Sequence, residues 1–459
     1  MIHIIHKKEK ISDKEMLFSN EALRKLIIPL VIEQFLAVAM GMADTIMVTS
    51  CGESAVSGIS LVDTVCILMI GLFSAMSSGG AVVVAQYMGK QDKEMVGKAS
   101  NQLFLSVGGL SLLFMVLCLL GRQAILSFLY RDIETAVMTA AETYFFYAAL
   151  SFPFLATYNG GAALFRAVGN SKISMKISLV SNILNVAGNA ILIYGCNMGV
   201  AGAAIATLIS RMIAAIGIVL ILLRSSELSL GKSWRLDLGI MRKILYIGIP
   251  NGLENSIFQL GKLLLSSLIA SFGTVAITAN AVVGSVGTFQ LIPQHAMGIA
   301  LITVIGQCIG AKEVEQAKYY LKKMLLLTHT WMAVIGVILA VFVRPLCGLY
   351  HLSEATETLA IQLLLYNCVA STIANPPAFT LPNALRAAND VKFTMVVSVT
   401  SMWLYRILLA YILADFCGMG LWGVWLAMST DWIVRSVFFV NRVRNGKWLK
   451  HMDKITKEN

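Results

Sequence analysis

Apolar runs of twenty residues or more recur along the chain from residue 26 to residue 440, separated only by short polar breaks. Such a run matches the roughly 30 Å of hydrocarbon that an α-helix crosses at about 1.5 Å per residue. Inside hydrocarbon every backbone N–H and C=O needs an internal partner, so these runs read as helices. Composition agrees: 57% of the 459 residues are hydrophobic and 13% are charged, about half the charged share of a soluble domain. The expected fold class is an all-α integral membrane protein. Twelve transmembrane helices are predicted, at 26–49, 58–85, 101–121, 140–165, 173–194, 200–223, 244–271, 275–305, 320–343, 358–385, 393–414 and 419–440.

The formal net charge is +11, which in a soluble protein would suggest nucleic acid and here reports orientation. With a cytoplasmic amino terminus, 29 of the 36 Lys and Arg fall in inner segments, and the outer loops hold Arg122, Arg131 and Arg344. Arg211, Lys262, Arg406 and Arg435 lie within spans. Both termini are therefore expected in the cytoplasm of a multi-pass protein of the cell (inner) membrane, with the bilayer as partner and no nucleic acid. The polar start HKKEKISDKE precedes an apolar run too long for a signal peptide, so the first span is expected to be retained. Eight cysteines form no CxxC pair, and no metal is assigned. Cys196 and Cys417 both fall at the outer face, but sequence alone gives no separation that would support a disulfide.

A shift of 221 residues aligns Pro29 with Pro250, Glu33 with Glu254, Gly52 with Gly273, Gln86 with Gln307 and Gly89 with Gly310. It also aligns Met198, Gly199, Gly202 and Ala206 with Met419, Gly420, Gly423 and Ala427, and Arg166 meets Arg386 one residue out of register. The chain thus reads as two six-helix units in tandem. Because six is even, both units enter the bilayer from the same side, the parallel-repeat arrangement of many secondary transporters, with a central cavity between them. The predicted organisation is a cytoplasmic segment 1–25, an N-lobe 26–223, a linker 224–243, a C-lobe 244–440 and a tail 441–459. No GxxxxGK[ST] loop is present, so an ion gradient or the substrate's own gradient is expected to supply the energy.

A charge near mid-bilayer costs about 2.5–3.5 kcal/mol, so each one calls for a partner, a wet cavity or a function. The acids at that depth are Glu33, Asp44, Asp63, Glu254 and Asp431; the bases are Arg211, Lys262, Arg406 and Arg435, the last near enough to the inner end to snorkel. Asp44 lies about 8 Å below the outer surface by helix rise. Asn189 on the fifth span reaches nearly the same depth, Asn185 sits one turn deeper, and Thr207 on the sixth span arrives at a comparable level. These four oxygen-bearing side chains suit a monovalent cation or a proton, and they equally suit interhelical hydrogen bonding. Glu33 and Glu254 follow a proline by one turn in equivalent positions, and Arg406 is expected to neutralise Glu254. Lys262, Arg211 and Asp431 are expected to be paired internally. His295 and His329 read as hydrogen-bonded packing histidines, while Pro153, Pro293, Pro376, Pro377 and Pro382 predict interruptions in spans four, eight and ten.

The stretches IPLVIEQFLAVAMGMADTIMVTSCG, VVVAQYMGKQD, LFRAVGNSK and NILNVAGNAILIYGCNMGVAGAAIATLIS together resemble the multidrug and toxic compound extrusion (MATE) family over residues 20–440. The resemblance implies two six-helix lobes around a V-shaped cavity. It implies Na⁺- or H⁺-driven export of organic cations and other amphiphilic small molecules, with no cofactor beyond the coupling ion. It also implies that the Asp of ADTIMV, Asp44, is the coupling carboxylate, with Asn185, Asn189 and Thr207 beside it. Two departures stand out: the family often has Asp where this chain has Asn189, and some branches carry acids in helix seven and helix ten where this chain has Phe258 and Gln259 and, in helix ten, none. A monomer is expected. The rival readings are a lipid-linked saccharide flippase of related architecture, which would need a more basic cavity, and an intramembrane enzyme, for which HExxH, GxSxG and a close acid pair are all missing.

Overall fold

A computed structural model describes residues 16–130, 133–225, 228, 230 and 234–451. Residues 1–15, Arg131, Lys232 and the tail residues 452–459, which figured in the reading of orientation and linker, lie outside the described residues. Twelve long helices follow one another: α1 Asn20–Thr49, α2 Glu53–Gly89, α3 Lys93–Leu129, α4 Thr135–Ala167, α5 Ser171–Gly195, α6 Gly199–Leu223, α7 Leu238–Ala270, α8 Thr274–Gly310, α9 Val314–Val341, α10 Glu354–Ala387, α11 Val391–Phe416 and α12 Gly420–Arg444. A short turn of helix, Val343–Gly348, links α9 to α10. Ten of the twelve are long and apolar enough to cross a membrane on composition alone. The other two, α4 and α7, carry polar side chains that line the cleft, among them Tyr158, Asn159, Asn251 and Asn255.

The helices outrun the apolar stretches because their caps stand in the polar connections. Asp92 Oδ1 accepts from Met95 N at 3.0 Å to start α3, and Asp237 Oδ1 accepts from Gly239 and Ile240 N at 3.0 and 3.1 Å to start α7. As a result α7 begins at Leu238, inside the segment expected to be linker. Pro153 and Pro293 lie within uninterrupted α4 and α8, because the backbone ladder on either side of one missing donor keeps the axis continuous. Of the three proline-bearing spans expected to break, only α10 does, where Pro376, Pro377 and Pro382 crowd one stretch and Pro376–Thr380 widens into a π turn.

The repeat is written in the backbone as well as the sequence. Positive φ occurs at Gly52 (97°) and Gly273 (86°), at Gln91 (60°) and Lys312 (62°), at Asn197 (54°) and Gly418 (68°), and at Gly199 (53°) and Gly420 (55°). Each pair is separated by the same 221 positions, so both units turn at equivalent places. The first unit packs α2 and α6 on α4 and α1 on α5; the second packs α8 on α9 and α10, and α10 and α11 on α12. Between the units α1 lies on α8, α7 on α2, and α2 on α8.

This seam is tight at the end of the molecule where α1 starts and α12 finishes. A Cβ added at Gly89 would lie 2.0 Å from Gln307 O, and one at Gly310 would lie 1.9 Å from Gln86 O. Beside them Gln86 Nε2 donates to Ala387 O at 2.7 Å, and Gln307 Nε2 donates to Ala167 O at 2.8 Å. Each repeat therefore closes the exposed carbonyl end of a helix in the other. Thr303 Oγ1 to Arg166 O (2.8 Å), Phe18 N to Tyr320 OH (2.9 Å) and Leu17 N to Gln316 Oε1 (2.9 Å) extend the same contact. The hydrogen bonds that cross between lobes gather at this end, and the cleft opens toward the other.

Gly310→Ala should wedge the seam apart. With spin labels at Lys93→Cys and Glu315→Cys, the expected outcome is a longer-distance population that the parent protein lacks, read by double electron–electron resonance; an unchanged distribution would show that the close approach does not hold the lobes together.

Candidate ion and substrate sites in the cleft

In the N-lobe the polar layer expected from helix depths is assembled. Asn189 Nδ2 donates to Asp44 Oδ1 at 2.7 Å and to Asn185 Oδ1 at 3.3 Å, and Asn185 Nδ2 donates to Thr207 Oγ1 at 3.1 Å. Asn185 and Asn189 are each 1% exposed, and Asn189 Oδ1 has no hydrogen-bond partner among the described residues. Asn189 sits where α5 passes into the π turn Ala190–Gly195, a loosening common at functional positions. Thr207 also lines a cavity of about 160 Å³ with Asp63, Tyr144 and Arg211. Arg211 donates to Ser151 Oγ at 2.7 Å. Asp63 and Arg211 had been noted as charges within spans but not placed beside this layer. Their location on α2 and α6, the helices that flank it, was the available signal.

Deeper in the cleft the repeat yields two matching ion pairs. Arg166, in the last turn of α4, pairs with Glu33 of α1, whose Oε2 also accepts from Ser174 Oγ at 2.9 Å. Arg386, in the last turn of α10, pairs with Glu254 of α7 at 2.8 Å and donates to Asn383 Oδ1 at 3.0 Å. The expected partner of Glu254, Arg406, is therefore incorrect. Both arginines had been placed in cytoplasmic loops, but the helices run on far enough to turn them inward. The nearly equal acid-to-base spacing in the two repeats, 133 and 132 residues, would have disclosed the pairs. All four residues line a central cavity of about 570 Å³, together with Gln34, Asn255 and His295.

Arg406 belongs to a different cluster. Its Nε lies 3.0 Å from Asp431 Oδ2, while Arg435 Nε donates to Asp431 Oδ1 at 2.8 Å and Arg435 also donates to Ser398 O at 3.0 Å. Asp431 is wholly buried and Arg435 is 2% exposed, so Arg435 does not snorkel as expected. It is held one turn above Asp431 on the same helix, and the carboxylate outcompetes distant water. The three cations Lys262, Arg406 and Arg435 stand 5.2, 4.9 and 5.4 Å from the ring of Phe258. Cation–π contacts contribute about 0.5–2 kcal/mol each, less than the cost of an unpaired charge at this depth. These residues line a C-lobe cavity of about 590 Å³ with Trp425, Trp432 and His295. His329 Nδ1 is 2.8 Å from Thr372 O, a packing contact. Cys196 and Cys417 are free.

With two matching six-helix units around an open cleft, comparison with known proteins is decisive. The MatE family pattern matches residues 29–191 and again residues 250–412. The chain belongs to the MatE family. The two matches start 221 residues apart (250 − 29), the shift seen in the sequence and the backbone. The chain is 28% identical to the uncharacterized transporter YisQ of Bacillus subtilis, across 95% of this chain and 99% of that protein. It is 24% identical to the probable multidrug resistance protein NorM of Thermotoga maritima, across 94% of this chain and 93% of that protein. The fold matches a crystal structure of MATE in complex with MaL6 with a TM-score of 0.88, covering 94% of this chain and 97% of that one at 19% identity. It matches an outward-facing multidrug resistance MATE transporter with a TM-score of 0.86, covering 94% and 96% at 20% identity. This MatE protein is accordingly a multi-pass membrane transporter and not an enzyme, as the sequence stretches above had implied.

Asp431→Asn leaves two buried guanidinium groups without a carboxylate. Removing one partner of a buried ion pair costs about 3–5 kcal/mol, so a clear fall in the unfolding temperature of the detergent-solubilised variant is the expected outcome. A fall of under about 1 °C would mean that the two arginines are neutralised elsewhere.

Proposed function

We propose that this MatE protein is a secondary multidrug efflux transporter that exports amphiphilic organic compounds, organic cations among them, by antiport against a proton or a sodium ion. The two lobes, 26–223 and 244–440 with the linker 224–243 between them, rock about the cleft to give alternating access. The reading places both termini in the cytoplasm, as the distribution of Lys and Arg favours, in the cell (inner) membrane, and takes the monomer as the working unit. Its NorM relatives are named probable multidrug resistance proteins, which supports the class of cargo.

The coupling site is Asp44 with Asn185, Asn189 and Thr207, and one observation carries that assignment. Asn189 turns its amide nitrogen to Asp44 and leaves its buried carbonyl oxygen unsatisfied. An unmet buried acceptor costs about 1–3 kcal/mol. A proton on Asp44 gives the carboxyl a donor of its own, and a sodium ion beside it presents positive charge. In either case a turned Asn189 amide gives its oxygen a partner in the layer, in exchange for the bonds its nitrogen makes to Asp44 and Asn185. The layer therefore has two arrangements that differ by one bound cation, the differential affinity an ion needs in order to bias a two-state protein.

Asp44→Asn keeps the shape of the layer and removes its charge. Ethidium export by cells carrying the variant is expected to fall by about tenfold or more, equivalent to about 1.4 kcal/mol or more of lost coupling; export at the parent rate would remove Asp44 from the mechanism. Proteoliposome counter-flux with sodium and pH gradients imposed separately identifies the driving ion.

A further inference from the structure

The coupling layer has a counterpart in the C-lobe, and its chemistry is reversed. The 221-residue shift carries Asp44, Asn185 and Thr207 to Leu265, Arg406 and Met428, and carries Asp63 and Arg211 to Gly284 and Trp432. All five of these counterparts line the C-lobe cavity, so the two cavities occupy equivalent places in the repeat. Where the N-lobe offers two carboxylates and one guanidinium, the C-lobe offers Lys262, Arg406 and Arg435 against Asp431 alone. The other acid on its wall, Glu254, is already paired with Arg386 at 2.8 Å.

The excess charge is presented to the cavity. Lys262 has no carboxylate within ion-pair distance among the described residues; its ammonium stands 5.2 Å from the centre of the Phe258 ring. Arg406 meets Asp431 by Nε at 3.0 Å, and that buried Nε makes no hydrogen bond to a described residue. The ring of Phe258 gathers the cations and offsets part of their repulsion, but supplies no acceptor for their N–H groups. Around them Trp425, Trp432 and Phe379 form apolar walls on a cavity of about 590 Å³, within the range of small-molecule sites.

We propose that the C-lobe cavity is a binding subsite for amphiphilic organic anions, with the carboxylate of an aromatic acid seated between Lys262 and Arg406 and its ring system against Trp425 and Trp432. The inference rests on the efflux reading for the act of transport and names a cargo class that this reading does not. It also accounts for an otherwise costly arrangement, two net positive charges kept at membrane depth. A zwitterion whose amine faces the N-lobe carboxylates fits the same polarity.

The test uses one fluorophore with three charges, 1-pyrenebutyrate, 1-pyrenebutanol and 1-pyrenemethylammonium, and purified full-length protein in nanodiscs of zwitterionic lipid. Binding is read by energy transfer from tryptophan to pyrene. The butyrate is expected to bind about tenfold more tightly than the alcohol. That preference should be lost in Lys262→Gln, retained in Lys262→Arg, and inverted toward the ammonium probe in Lys262→Glu; retention in the Arg variant separates loss of charge from loss of fold. Equal binding of butyrate and alcohol by the intact protein, or an unchanged preference in Lys262→Gln, overturns the proposal. Displacement of the probe by farnesyl pyrophosphate at lower concentration than by 1-naphthoate would also overturn it, in favour of a lipid phosphate. Ethidium export by cells carrying the same variants reports on the efflux reading separately, since binding of the pyrene series requires no transport.

Discussion

The contact on which this architecture turns is the crossing of α2 and α8, where Gly89 and Gly310 bring two backbones too close for any side chain to intervene. Gln86 and Gln307 then reach across it in opposite directions to the carbonyl ends of α10 and α4. Those amides satisfy groups that a helix end otherwise leaves unpaired. The arrangement is closed but not fused: each half consists of a van der Waals contact and hydrogen bonds that join neutral amides to carbonyls. A seam held by neutral groups can part at small electrostatic cost, as the proposed rocking of the lobes requires.

The charges are kept out of the seam and placed on the walls of the cleft. Glu33 with Arg166 and Glu254 with Arg386 tie the first helix of each lobe to the fourth, so each lobe stiffens internally while the space between them stays free. Arg166 joins the two functions: its side chain holds Glu33, and its backbone carbonyl receives Thr303 from the other lobe. A change in the ionic state of the cleft thus has a short route to the closed end. The two lobes repeat this frame yet differ where it matters for ligands, with Asp63 and Arg211 on the N-lobe cavity and Lys262, Arg406 and Arg435 with Glu254 on the C-lobe cavity.

Much of this was legible in the chain. Helix number, the parallel repeat and the meeting of Asp44, Asn185, Asn189 and Thr207 follow from apolar run lengths, a constant shift and the rise per residue. Partner choice among the buried bases was not legible from helix depth, only from the spacing of acids and bases in the repeat. Arg386 reads as a loop residue when α10 is measured by its apolar stretch alone, and Arg406 then seems the nearest base to Glu254. Two features decide the matter and neither has a pattern in sequence: polar caps lengthen the helices past the hydrocarbon run, and π turns in α11, such as Met402–Leu408, rotate Arg406 toward α12. Phe258 likewise reads as an ordinary apolar residue until three cations are found around its ring.

The central claim is that a cation at the Asp44 layer governs the seam at α2 and α8. Its most direct test is the distance across the seam in the otherwise native protein, followed while sodium concentration and pH are varied one at a time, with Asp44→Asn measured in parallel. A distribution that shifts with one of the two ions in the native protein and not in the variant is the result expected. The same shift in both proteins, or none in either, would contradict the claim.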